Sequence, residues 1–143
     1  AADGGLEIGG RPFMWGLEQW GSRDLPSLVA AATAVDVQEE IGPARIRERG
    51  RELTAIVRQQ LEGTGLAECL TCVSDDMSGS LTAYHLRGLG DVDLQPTLRD
   101  RYSITIPAAR ETDGHWMRVS THYYNTEDEI ASLMGALNEL RQA

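Results

Sequence analysis

The sequence predicts an α+β fold, an antiparallel sheet covered by helices on one face. Three observations carry this. Segments of helical and strand periodicity follow one another as helix, helix, strand, strand, helix, strand, strand, helix, an order that suits hairpin-paired strands rather than alternating βα units. The stretch 115–140, HWMRVSTHYYNTEDEIASLMGALNEL, alternates in its first half and turns helical in its second. The 143 residues, 41% hydrophobic and 24% charged, suffice for one globular domain that buries about two-thirds of its unfolded surface.

Residues 1–24, AADGGLEIGGRPFMWGLEQWGSRD, are rich in glycine and aromatics and too irregular for a helix or strand, so they read as loop or arm. Phe13, Trp15 and Trp20 give that arm an aromatic area that calls for a covering domain or subunit. Asp24 before Leu25-Pro26 is a good N-cap with proline near the helix start. A helix is predicted over 26–41, with Leu28, Val29, Ala32, Val35 and Ile41 available to a buried face, and Gly42-Pro43 stops it. A second helix over 44–62 places Ile46, Leu53, Val57 and Leu61 at near-helical intervals. Its other faces mix Arg45, Arg47, Arg49, Arg51 and Arg58 with Glu48, Glu52 and Glu62, the pattern of a solvated face laced with ion pairs rather than an anion site.

Strand-like runs follow at 67–74 and 80–87. The first holds Cys69 and Cys72, the only two cysteines. A redox Cys-x-x-Cys sits where a strand enters a helix; here the pair lies within a strand-like run, on opposite faces. His85, His115 and His122 have no zinc-ligand spacing with the cysteines. Buried, reduced thiols and no metal are therefore expected. A short helix is predicted over 94–101, with Pro96 in its first turn, and then a strand over 102–108 with Ile104 and Ile106 on one face. Asp113-Gly114 suggests a hairpin with a longer loop into the next strand. That strand alternates Trp116, Arg118, Ser120 and His122 against Met117, Val119, Thr121 and Tyr123. Thr126 and Glu129 then have capping-box spacing, with Glu127, Asp128 and Glu129 crowding a helix N-terminus. Ile130, Leu133, Met134, Leu137 and Leu140 complete an amphipathic helix.

The charge of −9 and pI of about 4.7 provide no basic face for phosphates, so no nucleic-acid partner is expected. No apolar run approaches the ~20 residues of a membrane span. No signal segment opens the chain, and a cytoplasmic location is the expectation. All thirteen basic residues are arginine; lysine is absent.

Arg118, flanked by Met117 and Val119, either is solvated or salt-bridged, or faces an anion. Arg118-Val119-Ser120, followed by His122, Tyr124, Asn125 and Thr126, resembles the C-terminal signature of class V aminotransferases. These are fold-type I pyridoxal-phosphate (PLP) enzymes that include cysteine desulfurases and an isopenicillin N epimerase-like branch. Trp20-Gly21-Ser22-Arg23-Asp24 resembles the Gly-Thr/Ser-Arg-Asp element of that branch, and Arg101-Tyr102-Ser103-Ile104 resembles its "RY-x-I". The resemblance runs over roughly residues 13–141. It implies the small-domain fold of these enzymes for 25–143, with 1–24 as the arm or tail of a missing N-terminal large domain.

It further implies that Arg118 grips the α-carboxylate of an amino-acid substrate, supported by Ser120 and His122. Gly21 and Ser22 would contribute to the cofactor-phosphate site, commonly across a homodimer. PLP is carried as a Schiff base on a lysine, which belongs to the large domain together with the aspartate on the pyridine nitrogen and the ring-stacking histidine. The chain alone, with no lysine, is expected to be inactive and to form part of a longer or split enzyme. Epimerisation, transamination and C–S lysis are all open to it, with the epimerase-like branch favoured. The alternative is a non-enzymatic domain that keeps the fold and uses its aromatic arm to bind another protein.

Overall fold

The computed structural model describes residues 7–8, 11–12, 24–72, 74 and 77–142. Within the stretch expected to be loop or arm, two short strands, β1 (Glu7–Ile8) and β2 (Arg11–Pro12), instead pair antiparallel, Glu7 opposite Pro12 and Ile8 opposite Arg11. Helix α1 (Leu25–Ile41) begins at the expected cap: Asp24 accepts the Ser27 N–H at 3.4 Å and also the Ser27 hydroxyl. Residues 1–40 and 41–143 form two compact units. The buried face expected on α1 is not formed among the described residues. Leu28, Val29, Ala32 and Val35 are exposed, and Ile41 is half-buried. The apolar residues are spread around the helix, so no single stripe gives it a face to bury. No helix of the described residues is long and apolar enough to cross a membrane.

The second unit contains the predicted sequence of elements: α2 (Pro43–Gly63), β3 (Ala67–Cys69), β4 (Leu81–Leu86), α3 (Leu94–Tyr102), β5 (Ala108–Glu111), β6 (Gly114–Ser120) and α4 (Glu127–Gln142). The strands form one antiparallel sheet in the order β3-β4-β6-β5. Pairing runs from Leu81 opposite Ser120 to Leu86 opposite His115. Tyr84, Leu86, Met117 and Val119 thus share one face and pack with Leu53, Val57 and Leu61 of α2, Leu94 and Leu98 of α3, and Ile130, Leu133 and Leu137 of α4. Each such side chain stabilises the fold by about 1.5–3 kcal/mol relative to exposure. The other face carries Leu81, Ala83, His85, Trp116, Arg118 and Ser120.

Helix α2 meets the sheet closely because residue 50 is glycine: a Cβ there would lie 2.1 Å from the Ser80 Oγ. Beside it the hydroxyls of Thr54 and Thr121 are 3.0 Å apart and buried. The arginine-rich faces of α2 are solvated and paired as expected, with Arg49 bonded to Glu52 at 3.4 Å and to Glu127 of α4 at 2.8 Å.

Four local expectations are corrected. Strand β3 ends at Cys69 because Leu70 makes the last main-chain bond to Ala83, and the Thr71 hydroxyl then accepts the Ala83 N–H at 2.9 Å. Cys72 consequently lies in a loop, exposed, while Cys69 is half-buried; both are free thiols, not a buried pair within a strand. Helix α3 runs through Tyr102 and is closed by Ser103 in the left-handed region (φ 57°), with Ile104 N–H returning to the Leu98 carbonyl. That reversal delays the strand expected over 102–108 until Ala108, although Ile104 and Ile106 still pack on the core. The β5–β6 hairpin has no longer loop: Glu111 pairs with Gly114, leaving only Thr112 and Asp113 in the turn. Finally, β6 ends at Ser120, so His122 and Tyr123 lie in a turn rather than continuing the alternation.

The capping box of α4 is present. Thr126 N–H donates to Glu129 Oε2 at 2.9 Å, and Glu129 N–H to Thr126 Oγ1 at 3.3 Å.

Two predictions follow from these ends. Ser103→Gly should stabilise the protein by about 0.5 kcal/mol, since an L-residue in the left-handed region costs about 1–2 kcal/mol and glycine returns part of that gain as unfolded-state entropy. Denaturant unfolding is the measurement, and a destabilised variant would show that the Ser103 side chain has a role of its own. The second concerns acid. Hydrogen bonding to Arg49 holds the Glu127 carboxyl below the usual range, and the Asn125 amide with the Thr126 N–H does the same for Glu129. A lowered carboxyl pKa contributes stability that is full above the unfolded value, about 4.3, and disappears as pH falls through the lower folded value. The loss of Tm on acidification over that window should be shallower in Glu129→Gln, and parallel curves would remove the capping box as a source of acid sensitivity.

Candidate functional site

Arg118 projects from the middle of β6, directly opposite Ala83 of β4. The pair lies on the sheet face opposite the one packed on α2, α3 and α4. The arginine is held from behind by its backbone, Arg118 N–H donating to the Pro107 carbonyl at 2.9 Å. Among the described residues no carboxylate pairs with it, and its side chain is exposed. A guanidinium carried on a strand, its donors unpaired among the described residues, matches a carboxylate in a bidentate fork. Ser120, two residues on, shares the face and is exposed.

His122 is brought near this end of β6 but not onto the strand face. Its N–H donates to Asn125 Oδ1 at 2.8 Å and its carbonyl accepts the Asn125 N–H at 2.9 Å, closing a turn. The ring stacks on Tyr124 with centroids 4.5 Å apart, and its Nδ1 is buried without a hydrogen bond. Asn125 Nδ2 continues to Glu129 Oε2 at 3.0 Å, coupling the turn to the α4 cap. A cavity of about 390 Å³ opens between the 102–106 segment, the end of β6 and the first turns of α4; Ser120 and Asn125 line it, and Arg118 and His122 do not.

Gly21 and Ser22 lie outside the described residues, as do Phe13, Trp15 and Trp20. His115 is buried with Nε2 2.8 Å from the Val92 carbonyl, an acceptor only, so that nitrogen carries the proton and the ring serves packing. The cavity beside Ser120 was not foreseen from sequence, because it depends on a serine adopting the left-handed conformation at position 103. The one local signal was Arg101-Tyr102-Ser103-Ile104, whose helical residues stop two short of Ile104.

No protein-family model matches the chain. It is 42% identical over 125 residues to isopenicillin N epimerase of Amycolatopsis lactamdurans, covering 87% of this chain and 31% of that protein. With isopenicillin N epimerase of Streptomyces clavuligerus the identity is 36% over 134 residues, covering 93% and 34% respectively. A probable cysteine desulfurase of Halobacterium salinarum is 32% identical over 123 residues, covering 80% and 29%. In structure the chain is similar to the cysteine desulfurase of Thermococcus onnurineus NA1, with a TM-score of 0.73 over 85% of this chain and 32% of that one at 19% identity. A NifS-like protein gives a TM-score of 0.65 at 21% identity, over 85% of this chain and 34% of that one. The chain spans about a third of the length of the curated relatives it matches. Over that third it is homologous to the isopenicillin N epimerases and cysteine desulfurases, the class V aminotransferase-like group of fold-type I PLP enzymes.

Proposed function

We propose that residues 25–143 are the C-terminal small domain of a PLP-dependent enzyme that acts on an amino acid, and that Arg118 binds the substrate's α-carboxylate. The observation that carries this reading is an arginine in mid-strand with no acidic partner among the described residues, standing opposite an alanine on the face away from the core. Ser120 on the same face supplies a hydroxyl next to the bound carboxylate, and His122 stiffens the turn that ends the strand.

PLP, when bound, supplies an electron sink for bond breaking at the substrate's α-carbon. This chain has no lysine side chain to carry it as a Schiff base. The remaining two-thirds of the enzyme, an N-terminal large domain, provides that amine, while Gly21 and Ser22 contribute to the phosphate site within a homodimer. The contribution of this chain is recognition: it fixes the carboxylate and thereby the orientation of the α-carbon.

Epimerisation, in which a proton leaves one face of the α-carbon and another returns on the opposite face, is favoured over C–S lysis. The relatives of 42% and 36% identity are both isopenicillin N epimerases. A desulfurase also needs a thiol that reaches the bound substrate. Here the β5–β6 connection is two residues long and carries none. Cys69 belongs to the opposite edge strand and packs on the core, behind the face that bears Arg118, and Cys72, exposed in the loop after that strand, is tied to α2, where Arg58 donates to its carbonyl at 3.2 Å.

In the complete enzyme Arg118→Ala should lower kcat/KM by roughly 30- to 5,000-fold, the ~2–5 kcal/mol of a broken buried charge pair, with cofactor loading intact. Arg118→Lys should recover little, because an ammonium does not reproduce the fork. Unchanged kcat/KM in Arg118→Ala would exclude this role. A second expectation concerns α1, whose exposed Leu28, Val29 and Val35 require a cover. Hydrogen exchange over residues 25–41 should be slow in the complete enzyme and fast in the 143-residue chain; equal rates would mean that no large domain packs on this helix.

A further inference from the structure

We infer that β4 and the tip of the β5–β6 hairpin form a site for one divalent transition-metal cation, with His85, Glu111 and Asp113 as ligands. This site is separate from the carboxylate-binding role of Arg118 and does not rest on it. His85 stands on β4, Glu111 closes β5 opposite Gly114, and Asp113 lies in the two-residue turn between them. One donor atom from each residue lies within 4.8 Å of the other two.

The imidazole is the fixed member. The His85 side chain is 9% exposed, against 72% for Asp113. Its Nε2 is buried and makes no hydrogen bond, and Asp113 Oδ1 stands 3.3 Å away. Gly114 makes this possible, because a Cβ there would lie 3.0 Å from Nε2 and 2.3 Å from the Leu86 carbonyl oxygen. The ring is thus wedged against bare backbone, with Nε2 beside the Asp113 and Glu111 carboxylates. A buried ring nitrogen without a bond is a cost that a ligand removes.

The charges agree. Among the described residues no arginine pairs with Glu111 or Asp113; Arg110 is bound to Asp91, and Arg87 to Glu68. A dication offsets both carboxylates and leaves the imidazole neutral, its ligating form. One nitrogen and two oxygens suit zinc or manganese better than magnesium or calcium, which favour all-oxygen shells. In a tetrahedral shell with bonds of ~2.1 Å the ligand atoms are about 3.4 Å apart, so the two exposed carboxylates need to swing inward by up to about 1.4 Å. Bound there, the cation clamps the hairpin tip to β4 and fixes the strand that bears Arg118.

The test is equilibrium dialysis of the chelator-treated complete protein against zinc chloride, with magnesium chloride in parallel. The wild type should hold one Zn²⁺ per chain more than Asp113→Asn or Glu111→Gln, whose exposed side chains can change without threatening the fold. Zinc should raise the Tm of the wild type and not of Asp113→Asn, magnesium should bind at least about tenfold more weakly, and Cys69→Ser with Cys72→Ser should leave the zinc count unchanged. Equal zinc in the wild type and both carboxylate variants, zinc lost with the cysteines, or no zinc bound at millimolar concentration would each overturn the proposal.

Discussion

Antiparallel pairing of β4 with β6, from Leu81 opposite Ser120 to Leu86 opposite His115, decides which side chains are core and which are free. Side chains alternate with a period of two, so a slip of one residue would turn Met117 and Val119 outward and drive Arg118 into Leu53, Val57 and Leu137. Burying an unpaired guanidinium there is prohibitive. The register is held at both ends. At one, Thr121 N–H donates to the Ser80 carbonyl at 2.8 Å and its hydroxyl meets Thr54. At the other, Gly114 lies so close to the Leu86 carbonyl that no side chain fits.

What was legible in the sequence follows from this. The spacing of Leu53, Val57 and Leu61, and of Ile130, Leu133, Met134 and Leu137, sufficed to place two helices, because each stripe meets the sheet without competition. The capping box was legible for the same reason: both its partners are local. The misplaced boundaries depend on bonds that periodicity does not record. Thr71 replaces a main-chain acceptor and so ends β3, and Ser103 takes a conformation usually left to glycine. Arg118 was singled out by its neighbours in sequence, but the alanine opposite it lies 35 positions earlier and is revealed only by the register.

All thirteen of the chain's basic residues are arginine. Most of its described guanidiniums are already committed: Arg49 ties α2 to α4, Arg58 reaches the Cys72 carbonyl, Arg87 meets Glu68, and Arg141 reaches the Thr64 carbonyl. These are exposed contacts, individually worth little, that organise a strongly acidic surface. Arg118 differs in being on a strand whose backbone fixes it, with its donors uncommitted among the described residues.

The two-residue turn at Thr112 and Asp113 has a consequence for what this scaffold can become. It joins two strands whose pairing is complete without it, and it lies at the surface, clear of the core residues. Lengthening such a loop costs little, since each doubling adds only about 0.6 kcal/mol of closure entropy. Residues inserted there would emerge from the same pair of strands that carries Arg118, leaving the packing beneath undisturbed. The hairpin is therefore a point at which this scaffold can accept inserted residues without disturbing the β4–β6 register or the core beneath it.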